Sequence, residues 1–132
     1  MVVVDTSTLV AFFLGAGHSS PMVRKTLGTD PHWAAPPHQP VEMLNVLRGL
    51  VRGGKISEHD ASAVLDRWSC AAVETLDFTT SVNGRIWELR DNLSAYDAAY
   101  VATAELYESV LVTGDTRLAG APRPRCEIRL VR

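Results

Sequence analysis

Residues 2 to 5 read Val2-Val3-Val4-Asp5, a β-branched run that stops at an acid. A second run of this kind, Val110-Leu111-Val112-Thr113-Gly114, stops at Asp115. Both runs predict short strands that are buried on both faces, as the strands of a parallel sheet are. Because ligands of parallel sheets gather outside the carboxyl ends of the strands, Asp5 and Asp115 are expected to share one site.

The remaining sequence alternates between helical and strand patterns. Helices are predicted near residues 9–13, 20–27, 40–52, 57–68, 82–93 and 94–107, and further strands near 33–35, 73–76 and 127–131. Ser57 with Asp60, and Ser94 with Asp97, have the spacing of capping boxes at helix starts. The alternation predicts an α/β fold in a single domain over residues 1–132, with a mainly parallel sheet of about five strands and helices on both faces.

Bulk composition is that of an ordinary globular protein of 132 residues, with 46% hydrophobic residues and a net charge of −2. No apolar run reaches the roughly 18 residues that a membrane span needs. The first residues lack the basic and apolar regions of a signal peptide. Cys70 and Cys126 show no metal-ligand spacing. A reduced, cytoplasmic protein without a membrane partner is therefore expected.

Four acids lie where an apolar run stops or a helical pattern begins: Asp5, Glu42, Asp97 and Asp115. If the fold brings them together, the carboxylates must either take up protons or hold a hard cation. That predicts Mg²⁺ or Mn²⁺ and chemistry on phosphates. Each acid also has a purely structural interpretation. Asp5 and Asp115 could cap helices, Asp97 could belong to a capping box, and Glu42 could be a first-turn acid favoured by the helix dipole.

Four stretches resemble the motifs of a PIN-domain ribonuclease, and they occur in the order found in that family. They are Val3-Val4-Asp5-Thr6-Ser7, Pro40-Val41-Glu42-Met43-Leu44-Asn45-Val46-Leu47, Leu93-Ser94-Ala95-Tyr96-Asp97-Ala98-Ala99-Tyr100-Val101-Ala102 and Leu111-Val112-Thr113-Gly114-Asp115-Thr116-Arg117-Leu118. The short chain resembles the VapC toxins of VapBC toxin–antitoxin pairs. In one respect it departs from the pattern, because some relatives carry a further acid where this chain has Arg117 and Leu118.

The resemblance implies a PIN-like three-layer fold and an endoribonuclease that hydrolyses RNA phosphodiesters with Mg²⁺ or Mn²⁺. Asp5 and Asp97 would be metal ligands, and Asp115 would bind metal directly or through water. Glu42 would bind metal or orient the attacking water. Two motif hydroxyls, those of Thr6 and Thr113, could orient a carboxylate or a water, or satisfy a local backbone group.

The resemblance also implies partners. The substrate would be a loop of tRNA or ribosomal RNA, and candidate phosphate contacts are Arg48, Arg52, Arg90 and Arg117. A VapB-type antitoxin would restrain the nuclease by laying a disordered segment in an apolar groove and placing an arginine in the acidic pocket. A homodimer, or a dimer of toxin–antitoxin pairs, is expected, and apolar residues near 47–51 and 64–68 could form its interface or could instead belong to the core.

Other classes of protein fit the sequence less well. A haloacid-dehalogenase-type phosphatase would need a second Asp two residues after Asp5, where Ser7 stands. A receiver-type Mg²⁺-binding regulatory module would need a lysine after the last motif, and the only lysines are Lys25 and Lys55. Two further alternatives keep the PIN fold: a nuclease of RNA processing that is not a toxin, and a domain that binds RNA or protein without catalysis.

Overall fold

Five short strands form a single parallel sheet in the computed structural model, which describes residues 1–132. In chain order the strands are β1 (Val2–Val4), β2 (Trp33–Ala35), β3 (Glu74–Thr75), β4 (Val110–Thr113) and β5 (Ile128–Leu130). Their order across the sheet is β3-β2-β1-β4-β5, with every neighbouring pair parallel. The predicted α/β fold with a parallel sheet of about five strands is confirmed.

Seven helices cover the two faces of this sheet. They are α1 (Thr6–Leu14), α2 (Pro21–Thr29), α3 (Gln39–Arg52), α4 (Glu58–Cys70), α5 (Thr80–Glu88), α6 (Ala95–Leu106) and α7 (Thr116–Ala119). Side chains alternate along β1, so Val2 and Val4 join one core with residues of α1 to α4, while Val3 joins a second core with residues of α5, α6 and α7. The fold therefore has three layers, with helices on both faces of the sheet.

Some predicted boundaries differ from the observed ones. β3 is limited to two exposed residues at the sheet edge, where only one neighbouring strand is available for pairing. The helix predicted near 82–93 ends at Glu88, although Leu89 and Leu93 are buried beyond its end. The apolar spacing in this segment therefore predicts which side chains are buried, but not where the helix ends.

The surface patch predicted for a homodimer is wrong in its residues. Leu47 is 3% exposed and Val64 is fully buried, and both belong to the core between α1, α3 and α4. The apolar stripe that suggested an interface faces the protein interior. On α3 the exposed apolar side chains are instead Val41 and Leu44, at the end that carries Glu42.

The central position of β1 fixes where its carboxyl end lies. β1 pairs with β2 on one side and with β4 on the other, with Val4 opposite Val112. Just beyond β1, the backbone N–H of Asp5 donates to the carbonyl oxygen of Val112 at 3.2 Å. The carboxyl ends of β1 and β4 are thus held side by side. None of the helices combines the length and apolar character that crossing a membrane requires.

Candidate active site

Asp5 is a buried carboxylate at the carboxyl end of β1, with 6% of the residue exposed. It caps α1, accepting a hydrogen bond from the backbone N–H of Thr8 at 2.9 Å, and its other oxygen accepts one from the Thr113 hydroxyl. Burial raises the pKa of Asp5, and the nearby charge of Asp115 raises it further, although the bonds from Thr113 and Thr8 oppose both effects. Capping accounts for only part of its environment, because a helix cap needs no second, buried partner from another strand.

Thr113 links Asp5 to Asp115. Besides donating to Asp5, its hydroxyl oxygen accepts the backbone N–H of Asp115 at 3.0 Å. Asp115 caps the short helix α7 through the backbone N–H of Arg117, at 2.8 Å. Hydrogen bonds from Arg117 lower the pKa of the Asp115 carboxyl. The structure therefore brings together the two acids that follow β1 and β4.

Glu42 lies in the first turn of α3, at the centre of a hydrogen-bond network. Its Oε1 accepts from the Tyr100 hydroxyl at 2.7 Å and from the Thr6 hydroxyl at 3.1 Å. His38 Nε2 lies 3.3 Å from the same oxygen. Burial raises the pKa of Glu42, but the hydrogen bonds from His38 and Tyr100 outweigh it, and the pKa falls below its ordinary value. These contacts hold Glu42 in its ionised form.

Two members of this network were missed by the sequence analysis. The Tyr100 hydroxyl lies 2.7 Å from Thr6 Oγ1, and Gln39 Nε2 lies within 3.5 Å of Tyr100 and donates to the Val4 carbonyl at 2.7 Å. Burial raises the pKa of Tyr100 far above its usual range, so the phenol stays protonated and can donate. The available signal was spacing, since Tyr100 follows Asp97 by three residues and therefore lies near it on the helix.

His38 lies four residues before Glu42, so the two side chains lie on one side of the helix start. Its Nε2 also lies 3.2 Å from the Tyr96 carbonyl, and its ring lies against those of Phe78, Tyr96 and Tyr100. Its buried Nδ1 has no hydrogen-bond partner. His38 and these aromatic rings therefore pack together beside Glu42.

Asp97 lies in the first turn of α6, and only half of the predicted capping box forms. The Ser94 hydroxyl accepts the backbone N–H of Asp97 at 3.2 Å. The Asp97 carboxylate lies instead 3.7 Å from Arg117 Nη2. By contrast, the reciprocal bonds of Ser57 and Asp60 form as predicted. The carboxylate of Asp97 is therefore available for a role other than capping.

Of the four arginines predicted to contact phosphate, Arg117 alone bonds to one of the four acids. Arg48 and Arg52 are exposed on α3, about 9 and 15 Å further along the helix axis than Glu42 at the usual rise per residue. Arg90 stacks on Trp87, with 4.4 Å between the guanidinium carbon and the ring centroid. Of these four arginines, only Arg117 lies against the acids that follow β4 and open α6.

The donor set suits a hard cation, but it is not converged. No three acidic, histidine or cysteine side chains lie close enough to form a metal site as they stand. Mg²⁺ usually keeps several waters and takes one or two protein carboxylates, so a converged set is not required. The raised pKa of buried Asp5 and the guanidinium between Asp97 and Asp115 both indicate a place where positive charge is favourable. The residues therefore fit Mg²⁺ or Mn²⁺.

Comparison with known families and proteins agrees with this picture. The PIN domain model matches residues 2–124. Ribonuclease VapC9 of Mycobacterium tuberculosis is 34% identical over 131 residues, which cover 99% of this chain and 98% of the relative. Ribonuclease VapC1 of the same organism is 37% identical over 134 residues, covering 98% of this chain and 97% of the relative.

Solved structures show the same fold at lower sequence identity. VapBC2 from Rickettsia felis, bound to a DNA fragment from its promoter, superposes with a TM-score of 0.70 at 13% identity and full coverage of both chains. Mycobacterium tuberculosis VapC20, described as a Sarcin-Ricin loop cleaving toxin, superposes with a TM-score of 0.64 at 19% identity, covering 96% of this chain and 99% of that one. At these identities the likeness concerns the fold alone.

Proposed function

Since this chain belongs to the PIN-domain family, and its curated relatives are VapC ribonucleases over their full length, we propose that it is an endoribonuclease toxin of a VapBC-type system. Its substrate would be a loop of tRNA or ribosomal RNA, and its activity would depend on Mg²⁺ or Mn²⁺. We propose that residues 1–132 form a single nuclease domain. Membership of the PIN-domain family also excludes the phosphatase and the receiver-type regulatory module as alternatives.

The observation that carries the proposal is the charge at the carboxyl ends of β1 and β4. Asp5 is buried at this edge. The Thr113 hydroxyl donates to the Asp5 carboxylate and accepts the backbone N–H of Asp115, so it links the two acids. A buried carboxylate beside a second one is costly unless a cation neutralises it. Both residues cap helices, yet capping does not require two acids from two strands at one point. A reaction assisted by a bound cation accounts for two acids at one point.

In the proposed mechanism, Asp5 and Asp97 would bind the divalent ion, and Asp115 would bind it directly or through water. When bound, that ion supplies positive charge that promotes the ionisation of water and stabilises charge on the phosphate oxygens. Thr113 orients the Asp5 carboxylate by donating to it. These side chains are held by strand ends and helix starts, so their positions are set before the substrate arrives.

Glu42 would orient the attacking water. Its Oε1 is already held by Tyr100 and Thr6, which fix the carboxylate and leave its second oxygen without a hydrogen bond from the protein. Because the pKa of Glu42 is lowered, the carboxylate is ionised at neutral pH and can orient that water by accepting a hydrogen bond from it. Tyr100 and Thr6 act as positioning residues, since each reaches the reaction through Glu42.

RNA would approach along the rim of the acidic edge. Arg117 is the best placed of the four candidate arginines to contact a phosphate, because the other three do not reach the acids. Arg48, Arg52 and Arg90 are exposed and could contact more distant phosphates of a longer substrate. Their effect should be on binding and on its salt dependence, not on the chemical step.

An antitoxin partner of the VapB type is also proposed. An apolar groove of about 290 Å³ lies between α1 and α3, and it is lined in part by Val10, Leu14, Val46 and Ile56. Ser7, two residues after Asp5, also lines this groove. A disordered apolar segment laid there could extend an arginine to the acids. We propose that the protein acts in the cytoplasm and forms a homodimer or a dimer of toxin–antitoxin pairs.

Cleavage of RNA in the presence and absence of divalent metal tests the proposal. Purified protein should cut a pool of tRNA and ribosomal RNA at discrete sites with Mg²⁺ or Mn²⁺, and EDTA should abolish the products. Discrete products with EDTA present would refute the metal-dependent mechanism. No cleavage with either metal, from a folded protein that has been freed of any co-purified partner, would refute the nuclease assignment.

A further inference from the structure

Arg117 joins two acids that belong to different parts of the fold. Its Nη2 lies 2.7 Å from Asp115 Oδ2, and its Nε lies 3.2 Å from both oxygens of that carboxylate. The same Nη2 lies 3.7 Å from Asp97 Oδ2. Asp97 is in the first turn of α6, whereas Asp115 precedes α7. The guanidinium is thus a cation seated between two of the acids expected to bind metal.

The guanidinium and a divalent ion cannot share these carboxylates in this arrangement. The Arg117 side chain makes three N–H···O contacts to the Asp115 carboxylate. These contacts occupy the oxygen positions that a metal or its waters would need. Two cations within a few ångströms also repel each other. With 74% of its side chain exposed, Arg117 has room to move away.

We propose that Arg117 is an internal counter-ion that competes with the divalent cation for Asp97 and Asp115. In the metal-free protein it neutralises the two acids, and it leaves them when Mg²⁺ or Mn²⁺ binds. This inference rests on the proposed function, because it takes both acids to be metal ligands. It adds a control on metal affinity that is built into the chain itself.

A purely structural role predicts something different. If Arg117 served only to stabilise α7, its loss would disturb the turn and weaken metal binding. However, the cap of α7 is made by the backbone N–H of residue 117, which any side chain at that position retains. Substituting the guanidinium therefore tests the side chain without removing the cap.

Metal affinity is the direct measurement. Mn²⁺ binding to the RNA-free protein is measured by calorimetry for wild type and Arg117→Gln. Gln removes the positive charge, so we expect Mn²⁺ to bind about tenfold more tightly, as expected when an exposed charge-assisted pair no longer competes. Arg117→Lys keeps the charge but loses the two-pronged geometry, and its affinity should fall between the two.

Arg129→Gln is a matched control. Arg129 also pairs with an acid two residues away, through Nε and Nη2 contacts to Glu127 at 3.1 and 2.7 Å. Its substitution changes the net charge by the same amount but removes no contact to the four acids. Its Mn²⁺ affinity should stay within about twofold of wild type, because the Arg129 guanidinium is paired with Glu127 and contacts none of the four acids.

A second readout follows the side chain itself. In ¹⁵N spectra, the Arg117 Nε–H signal, assigned by its absence from the Arg117→Gln spectrum, should shift on saturation with diamagnetic Mg²⁺. The affinity difference between wild type and Arg117→Gln should also shrink at high salt, since the competing contact is exposed.

The outcomes separate this inference from the proposed function. Tighter Mn²⁺ binding by Arg117→Gln, with Arg129→Gln unchanged, supports the counter-ion role. If wild type binds Mn²⁺ but Arg117→Gln binds it equally or more weakly, the counter-ion role is refuted while the metal site stands. If folded wild type binds no Mn²⁺, the metal assignment of the proposed function falls, and this inference falls with it.

Discussion

Tyr100 of α6 donates a hydrogen bond to Glu42 of α3 at 2.7 Å, although 58 residues separate them in the sequence. The bond joins helices that lie on opposite faces of the sheet. It passes over the carboxyl ends of the strands, where Thr6 also contacts both side chains. The position of Glu42 is therefore set by both helical layers at once.

Tyr100→Phe tests this positioning role. Losing the hydroxyl removes the donor nearest to Glu42 and leaves Thr6 as its remaining hydroxyl donor, so we expect RNA cleavage to fall about tenfold and stability to fall by about 1 kcal/mol. Cleavage rates and urea unfolding provide the measurements. Tyr107→Phe is the control, since that hydroxyl donates at 3.2 Å to the Asp77 carbonyl away from the acids. Wild-type cleavage by Tyr100→Phe would contradict the role given to Tyr100.

Asp97→Asn should abolish activity without unfolding the protein. The Asp97 carboxylate makes no bond to Ser94, whose hydroxyl accepts only the backbone N–H, so the start of α6 should persist. Loss of a charged ligand should reduce cleavage at least about a hundredfold at saturating Mg²⁺. Cleavage assays and circular dichroism check both parts. Asp91→Asn, on an exposed residue just before α6, should cleave as wild type does.

Asp5→Asn should raise the melting temperature of the metal-free protein at neutral pH. Because burial raises the pKa of Asp5 above 3.8, its ionised form lowers the stability of the folded state at any pH above that raised pKa. Asn also serves as a helix cap. As the pH falls through the raised pKa toward 3.8, wild-type Asp5 takes up a proton and the advantage of Asn should disappear. Thermal unfolding in EDTA across this pH range measures it.

Asp60→Asn is the counterpart with the opposite sign. Hydrogen bonds from Ser57 lower the pKa of Asp60, so its ionised form stabilises the fold above pH 3.8. Its substitution should lower the melting temperature slightly at neutral pH, and the loss should fade as the pH falls below 3.8.

A drop in melting temperature for Asp5→Asn at neutral pH would contradict the first of these two predictions. It would show that the hydrogen bonds of Asp5 outweigh the cost of its burial.

Expression of the wild-type protein in a bacterial host should arrest growth, whereas Asp97→Asn at equal protein level should not. Co-expression of the small protein encoded beside it should restore growth. Growth curves with immunoblots for protein level provide the measurement. If wild type is harmless and no neighbouring product binds it, the toxin assignment is wrong, and a PIN nuclease of RNA processing would remain.

The sequence was sufficient for the fold and for the order of the acids. A short β-branched run such as Val2–Val4 buries all of its apolar side chains when it forms a strand covered on both faces. Parallel pairing then places Asp5 beside β4. It was insufficient for Tyr100 and Gln39, whose roles depend on contacts made across the sheet between distant segments. It could not decide between interface and core at Leu47, because an apolar stripe has the same spacing whether it faces a core or a partner.

The hydrogen bond from Thr113 to Asp5 spans 108 residues of sequence, so Asp5 is synthesised well before its partner. β1 and α1 leave the ribosome long before β4 exists. A nascent chain can therefore fold its first helices without possessing the paired acids. If Asp5 and Asp115 serve the reaction as proposed, nuclease activity would appear only after β4 has been synthesised. Truncated products that end before β4 would lack this centre as well.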